Sequence, residues 1–342
     1  MRAQIASLLP TNTVDRPGWA VDIHAAFVAL EIKPNLQNIC AVIAVTEQES
    51  SVRADPSVPN LGRIAWEEID RRAERLGVPK FAVHVALKLS SPTGKSYGER
   101  IDAVTTEREL SEIFEDFIAM VPLGKRLLAD WNPVRTGGAM QVSIAFAERH
   151  VQEHPYPFST TNSIRHEVFT RRGGMYFGIA HLLGYPATYD KLIYRFADFN
   201  AGRYASRNAA FQNAASLASG KPLDLDGDLL RQGDDDTAKP GSTELAVRSI
   251  SKALDMNHQA IRRALEQGGS QEFDRTLLYT RMFELADRLE RQPLPRALIP
   301  RIVLHSPKIT RKLTTEWFAT RVDERHRRCL VRAAVPTVPE RM

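Results

Sequence analysis

Apolar residues recur at helical spacing along most of the chain, and the alternating pattern of a half-buried strand is scarce. This periodicity predicts helices over 19–30, 64–76, 80–89, 142–150 and 175–183, and a helical pair over 187–198 and 203–217. Thr105 or Thr106 can cap a further helix that runs through Ile118 and ends at Pro122. The pattern therefore predicts a mainly α-helical protein.

One predicted helix, which starts after Pro34 and Asn35, is apolar on two opposite faces. Leu36, Ile39 and Ile43 mark one face, and Val42 and Val45 mark the other. A helix that is apolar all round is buried. It nevertheless ends in the polar sequence Glu47-Gln48-Glu49-Ser50, so the sequence predicts carboxylates at the rim of an apolar core.

The composition is that of a globular protein, with 43% apolar and 25% charged residues among 342. It excludes a collagen-like repeat and a mostly disordered chain. The net charge of +5 and the isoelectric point of about 9.2 favour an anionic partner. Nucleic acid, an anionic membrane and an acidic glycan satisfy this charge equally well.

Two cysteines, Cys40 and Cys329, are too few for a disulfide framework. Cys40 lies in an apolar run, where a buried thiol acts as a small hydrophobe, and one long-range bridge is the alternative. No run of 18 apolar residues occurs, and the first ten residues are too short and polar for a secretory signal. The sequence as written predicts a soluble chain.

Three separated segments carry the candidate chemistry: residues 47–52 (EQESSV), 137–142 (GGAMQV) and 197–202 (ADFNAG). In this order they resemble the three signature blocks of the lytic transglycosylases, members of the lysozyme-like superfamily that cleave the glycan of peptidoglycan. The resemblance implies a lysozyme-like helical domain over 17–218, with a helical insertion at about 54–135. A helical extension over 219–335 would pack on it.

The same resemblance implies a role for each matching residue. Glu49 would be the catalytic acid and base, because a carboxyl at the rim of a core is desolvated and holds its proton near neutral pH. The reaction would break the bond between N-acetylmuramic acid and N-acetylglucosamine and leave a 1,6-anhydromuramic end, without a metal or an organic cofactor. The substrate-binding residues would be Ser50, Met140, Gln141, Phe199 and Asn200.

Three further carboxylates, Glu47, Glu167 and Asp198, are secondary candidates. For Glu167 and Asp198 the structural alternative is a salt bridge to Arg165, Arg195 or Arg203. A zinc site is not expected, since His166-Glu167 lacks the second histidine of a zinc-protease helix, and His181 lies on an apolar helix.

The sequence also departs from the transglycosylase pattern. Glu49 and Gly138 are farther apart than is usual, and Ala139 replaces a larger aliphatic residue. Phe199 replaces the usual tyrosine and so lacks a hydroxyl group. These departures keep a second hypothesis open, in which the same fold binds glycan or serves as an envelope scaffold without turnover.

Over about 17–332 the chain is similar to a family of uncharacterised Gram-negative envelope proteins, many of them outer-membrane lipoproteins. Residues 176–183, 194–211 and 306–319 carry this likeness. It implies a location in the periplasm or at the outer membrane, and the transglycosylase resemblance implies peptidoglycan strands as the partner. This chain has no lipobox cysteine near its start, so a lipid anchor would have to lie outside the sequence.

Two other segments suggest different functions. Residues 245–265 resemble a helix-turn-helix with Arg262 and Arg263 on its second helix, which makes DNA binding a rival hypothesis. The acidic stretch 224–236 is predicted to be a surface connection. Its alternating aspartates lack the remainder of a calcium-binding loop.

Overall fold

The computed structural model describes residues 1–120, 132–230, 239–304 and 313–334. Within these ranges the chain forms sixteen α-helices and two small two-stranded sheets, so the predicted mainly α-helical class is confirmed. The chain divides into two compact units. The described part of the first covers 1–120, 132–180 and 329–334, and that of the second covers 181–230, 239–304 and 313–328.

The first unit holds ten helices, the last of which continues three residues into the second unit. They are α1 (Arg2–Leu8), α2 (Arg16–Ala29), α3 (Leu36–Ser50), α4 (Leu61–Arg75), α5 (Lys80–Ala86), α6 (Tyr97–Ala103), α7 (Glu107–Met120), α8 (Ile144–Glu153), α9 (Ile164–Val168) and α10 (Arg171–Leu183). Strands β1 (Thr136–Gly137) and β2 (Val142–Ser143) pair antiparallel before α8. Periodicity did not predict α1 and α6, which are each only seven residues long.

The second unit holds α11 (Leu192–Ala201), α12 (Ala205–Ser219), α13 (Ser242–Ser249), α14 (His258–Leu265), α15 (Leu277–Glu290) and most of α16 (Thr315–Ala334). Short 3-10 segments cover Glu266–Gly269 and Gln271–Arg275, and β3 (Val303–Leu304) pairs with β4 (Leu313–Thr314). Phe211 of α12 packs in the core with Phe273 and with Phe283 of α15. Helix α12 therefore belongs with α15 in the second unit, which begins at His181. The sequence predicted a boundary later, at 218/219.

The segment predicted as a solvated connection is partly built into the second unit. Leu225 and Leu229 are buried, and the Gln212 side chain of α12 accepts a hydrogen bond from the Gly227 amide and donates one to Asp226. The prediction of a surface connection is therefore wrong for residues 225–229. The acidic residues at 234–236 lie outside the described residues.

Helix α3 is deeply buried in the first unit. Asn35 caps it by accepting a hydrogen bond from the Asn38 amide at 2.9 Å. Every residue from Ile39 to Val45 is 0% exposed, which confirms the predicted two-sided burial. Because both faces are covered, polar groups of α3 can reach solvent only at its ends.

Cys40 of α3 is disulfide-bonded to Cys329 of α16, and both residues are completely buried. Cys40 is therefore not the free thiol that the apolar run favoured, and the long-range alternative holds. The next turn of α16 contributes a second link, since Arg332 donates a hydrogen bond to the Leu8 carbonyl at 3.0 Å. These contacts connect the end of the described chain to its first helices.

The region predicted as an insertion contains α4 to α7. Its last helix begins as predicted, with the Glu109 side chain accepting from the Thr105 and Thr106 amides and Thr106 accepting from the Glu109 amide. The residues 121–131, which include Pro122, lie outside the described part. No helix in the described ranges combines the length and the apolar character needed to cross a membrane.

We expect the Cys40→Ala/Cys329→Ala variant to lose about 2–5 kcal/mol of unfolding free energy, because the bridge closes a loop of 289 residues in the unfolded chain. Urea denaturation of the oxidised protein and the variant measures the difference. Adding reductant to the unfolded wild type before refolding should reproduce the loss and should leave the variant unchanged. Equal midpoints would contradict a stabilising role of the bridge.

Candidate functional site

The chain reverses direction directly after the Glu49-Ser50 pair at the end of α3. Ser51 and Val52 both have left-handed backbone conformations, with φ of 53° and 59°. The Val52 amide bonds back to the Thr46 carbonyl, which closes the helix end. A β-branched residue is rare in this conformation, and such strain persists only where the surrounding structure enforces it. Val52 is held there by burial, with 5% of its surface exposed.

Ser50, predicted to bind substrate, stabilises this reversal. Its hydroxyl donates to the Thr46 carbonyl at 3.0 Å and accepts from the Arg53 amide at 3.2 Å. Ser50 is buried, whereas Glu47 and Glu49 on the same turn are half-buried. The two carboxylates therefore lie where the core helix meets the surface.

A polar groove of about 440 Å³ begins at this turn. Its walls come from the loop after α3 and from the start of α2 and the loop before it, with one residue of α10. They are Asn12, Thr13, Val14, Asp15, Trp19, Ser51, Val52, Arg53, Ala54, Asp55 and Arg171. The sequence analysis missed this groove because its charged residues lie on segments far apart along the chain.

The surroundings of Asp55, a carboxyl group of the groove, shift its pKa. Burial raises its pKa, and the cation of Arg108, whose Nη2 lies 3.1 Å from Asp55 Oδ2, opposes this rise. Perturbed carboxyls in a groove are candidates for proton transfer. Asp55 follows Glu49 by only six residues, so proximity to the motif is the signal that could have identified it.

Arg171 lies on the opposite wall and is held by two carboxylates. It forms 2.6 Å ion pairs with Asp15 and Asp22, and its guanidinium lies 5.7 Å from the centre of the Trp19 ring. These contacts lower the pKa of Asp15, with the Arg171 hydrogen bond as the largest cause. The wall is therefore a fixed ion-pair network.

The second block forms the β1–β2 turn and packs on α10. Gly138 has a left-handed φ of 72°, and a Cβ there would collide with the Val168 carbonyl. Met140 is completely buried against Gly178, where any side chain would clash with it. Met140, predicted as part of a substrate cleft, is therefore a packing residue in this structure.

Gln141, the other predicted cleft residue, directs its amide toward its own turn. Its Nε2 donates to the Gly138 carbonyl at 3.3 Å, and its Oε1 accepts from the Thr136 hydroxyl at 3.4 Å. Its backbone is left-handed, with φ of 49°. Both hydrogen bonds are long, so the side chain can exchange them for bonds to a ligand at little cost.

Helix α10 brings the first two blocks together within the first unit. Met140 packs on Gly178, and the Thr46 hydroxyl of α3 lies 3.9 Å from the sulfur of Met175, three residues earlier on α10. Thr46 precedes Glu49 by one helical turn. The close approach at Gly178 depends on the absence of a side chain there.

The third block lies in the second unit, where Asp198 is 1% exposed. Its carboxylate accepts hydrogen bonds from the Tyr185 and Tyr189 hydroxyls at 3.0 and 2.6 Å and from the Tyr204 and Ser206 amides at 3.0 and 2.7 Å. Burial raises its pKa. Within the described residues Asp198 has no arginine partner, so the expected salt bridge is wrong, and Asp198 instead orders the turn between α11 and α12.

Glu167 is also bound by hydroxyl groups. It accepts from Tyr156 at 2.9 Å and from Thr160, and it is buried at the end of α9. Its expected salt bridge is wrong as well within the described part of the chain. A carboxylate with these fixed donors is suited to holding the 156–160 loop.

Phe199 and Asn200 both have partners within the second unit. The Phe199 ring lies 5.0 Å from the His181 ring, and its carbonyl lies 3.3 Å from His181 Nε2. Asn200 Oδ1 accepts from the hydroxyl of Thr315, the first residue of α16, at 3.0 Å. The structure thus assigns the three signature blocks to different units, two in the first and one in the second.

The candidate helix-turn-helix has the predicted helices, α13 and α14, but not a free basic face. Glu244 is completely buried and pairs with Arg248 and, at 3.0 Å, with Arg262. Arg262 also pairs with Glu266 at 3.0 Å, while Arg263 is exposed. Arg262 therefore stabilises the packing of the two helices.

No group of three or more His, Cys, Asp or Glu side chains has the arrangement of a metal site in the described part of the chain. Asp226 and Asp228 line a surface pocket of about 480 Å³, and burial raises the pKa of Asp228. Asp226 Oδ1 is already an acceptor for Gln212 and for the Asp228 amide.

His181 supplies a pH-dependent contribution to stability. Burial, assisted by Arg203, lowers its pKa from 6.5 to about 4, so the unfolded chain takes up a proton between these pH values and the folded chain does not. We expect the unfolding free energy to fall as the pH decreases through this window, and the His181→Gln variant to lose that part of the slope. Urea denaturation across the window tests this, with the exposed His258→Gln as control. Identical slopes in wild type and His181→Gln would contradict the assignment.

Similarity to known proteins extends over almost the whole chain. A family model described as "Protein of unknown function (DUF1615)" matches residues 12–332. Uncharacterized protein YaiW of Escherichia coli strain K12 is 56% identical over 322 residues, which are 94% of this chain and 87% of that protein. No solved structure matches the chain. The expected membership in an uncharacterised family is confirmed: the chain belongs to the DUF1615 family of proteins of unknown function.

Proposed function

We propose that the protein cleaves the glycan strands of peptidoglycan as a lytic transglycosylase, with Glu49 as the single catalytic acid and base. The observation that carries this proposal is the position of Glu49 on the last turn of a helix whose preceding turns are completely buried. The groove of about 440 Å³ that starts two residues later has the size of a small-molecule site and could hold one portion of a glycan. A second protein carboxylate is not needed when the substrate's own N-acetyl group assists.

In this mechanism Glu49 donates its proton to the glycosidic oxygen between N-acetylmuramic acid and N-acetylglucosamine. The departing sugar keeps that proton as a hydroxyl group. The C6 hydroxyl of the muramyl residue then attacks its own C1, and the Glu49 carboxylate accepts the hydroxyl proton. The 1,6-anhydro bond closes and Glu49 returns to its starting protonation state.

The disulfide between Cys40 and Cys329 supports an extracytoplasmic location, because structural disulfides persist mainly in oxidising compartments. The periplasm or the outer membrane is such a compartment and is where peptidoglycan is accessible. A lipid anchor outside this sequence would be one route of attachment.

A non-catalytic glycan-binding or scaffolding function is the second candidate, and one observation favours it. Met140 is buried, and the side-chain amides of Gln141 and Asn200 both take part in internal hydrogen bonds. Three of the motif residues expected to contact substrate thus support the fold. In this case the groove would hold glycan without cleaving it.

We expect the wild type to release anhydromuropeptides from purified peptidoglycan and the Glu49→Gln variant to lose about two to four orders of magnitude in rate. Mass spectrometry of the products measures this. Glu47→Gln is the matched control, because it makes the same change one half-turn earlier on α3 and should retain activity.

Other products distinguish the alternatives. Reducing ends that disappear in Asp55→Asn would indicate hydrolysis with Asp55 as the base for water, and would contradict the transglycosylase mechanism. Absence of product from folded wild type that still sediments with peptidoglycan would favour the binding function. Absence of both activity and sedimentation would overturn both candidates.

A further inference from the structure

Helix α5 and its flanking turns expose an unusual number of apolar side chains. Phe81 is 73% exposed and Val85 is 61% exposed, one helical turn apart, and no residue of α5 is buried. Leu76, Val78 and Leu89 extend the same surface at 54%, 39% and 52% exposure. We call residues 76–89 the α5 face. It holds five of the fifteen large exposed apolar side chains of the described residues.

The α5 face continues into the interior of its own helical cluster. An apolar cavity of about 130 Å³ lies between α4, α5, α6 and α7, and Val78 belongs both to the face and to the cavity wall. Val83 and Leu87 line the cavity on the α5 side, and Phe114 and Phe117 line it on the α7 side. Exposed apolar side chains grouped on one helix and its flanking turns are a candidate interaction site.

Polar contacts help to hold α5 in place and leave Phe81 and Val85 uncovered. The His84 ring stacks on Trp66 of α4 with centres 4.5 Å apart, and its Nε2 lies 2.9 Å from Asp70 Oδ1. The exposure of Phe81 and Val85 is therefore a property of the packed helix.

Basic residues surround the α5 face. Residues 75–95 contain four cations, Arg75, Lys80, Lys88 and Lys95, and no carboxylate. All four are exposed. Lys80 Nζ lies 3.8 Å from Asp70, and the charge of Lys95 contributes to lowering the pKa of Glu99. The acidic residues preceding this stretch are Asp70, which faces Lys80 and His84, and Glu74, which is exposed.

Exposed apolar side chains with cations close to them in the sequence suit the boundary between lipid headgroups and acyl chains in an anionic membrane. A second copy of the same face would bring cations against cations. A neutral apolar partner would have no electrostatic attraction to the basic residues. The charge pattern therefore selects a surface that combines negative headgroups with an apolar interior.

We propose that the α5 face is a peripheral binding site for anionic phospholipid membranes. Phe81 and Val85 enter the headgroup boundary, and Arg75, Lys80 and Lys88 contact lipid phosphates. This site is independent of Glu49 and of the function proposed for the groove.

Flotation of the full-length protein with vesicles tests the site. We expect binding to vesicles of phosphatidylcholine mixed with phosphatidylglycerol, weaker binding to phosphatidylcholine alone, and weakening by added salt. Phe81→Ser/Val85→Ser and, separately, Lys80→Glu/Lys88→Glu should each lower the partition coefficient about tenfold or more. Val28→Ser is the matched control, because Val28 is 62% exposed on α2, and it should bind as the wild type does.

The variants change exposed side chains, and thermal unfolding checks that each remains folded. Failure of the wild type to bind mixed vesicles would overturn the proposal, as would unchanged binding by folded Phe81→Ser/Val85→Ser. Equal binding to both vesicle types would remove the role of the cations and would also overturn it. A wild type that dimerises through Phe81 and Val85 without binding vesicles would assign the face to a second copy instead.

Discussion

The complete burial of the middle of α3 is the constraint on which the first unit depends. Seven consecutive residues from Ile39 to Val45 are removed from solvent, so the chain must supply cover on every side of the helix. Helix α10 contributes Met175 beside Thr46, and the last turns of α16 contribute the covalent bond from Cys329 to Cys40. Because the sides are closed, the carboxylates of α3 can meet solvent only at its C-terminal turn.

The chain leaves the core at the C-terminal turn of α3 through a strained backbone segment, and the neighbouring α10 is closely packed. Ser51 and Val52 take left-handed conformations, and Ser50 uses its hydroxyl to hold the reversal. On the neighbouring α10, Gly178 lets the Met140 side chain approach more closely than any other residue would allow. Gly178 and the motif residue Met140 thus serve close packing within the first unit, not contact with substrate.

Periodicity predicted most of the helices, since each of the long helices buries one stripe or all of its surface. It did not predict the short helices α1, α6 and α9, and it did not place the 14-residue α15 within the predicted helical extension. Pairing of Cys40 with Cys329 could not be derived, because a separation of 289 residues leaves no local signal. The same limit explains Asp198: its donors Tyr185, Tyr189, Tyr204 and Ser206 are near in sequence, but only the fold shows that they converge.

The position of the candidate site could be predicted from the sequence, but the hydrogen-bond partners of its residues could not. The end of an apolar helix identified Glu47 and Glu49. The internal hydrogen bonds of Gln141 and Asn200 depend on the β1–β2 turn and on the start of α16, which residue spacing does not specify. If those amides keep their internal bonds when a glycan is present, recognition must come from groups that no motif contains. Arg53 and Asp55 meet that requirement, because they line the groove and lie on the loop that the strained turn directs away from the core. Under the proposed function, substrate-recognising residues are therefore better sought in the loop after α3 than in the second and third sequence blocks.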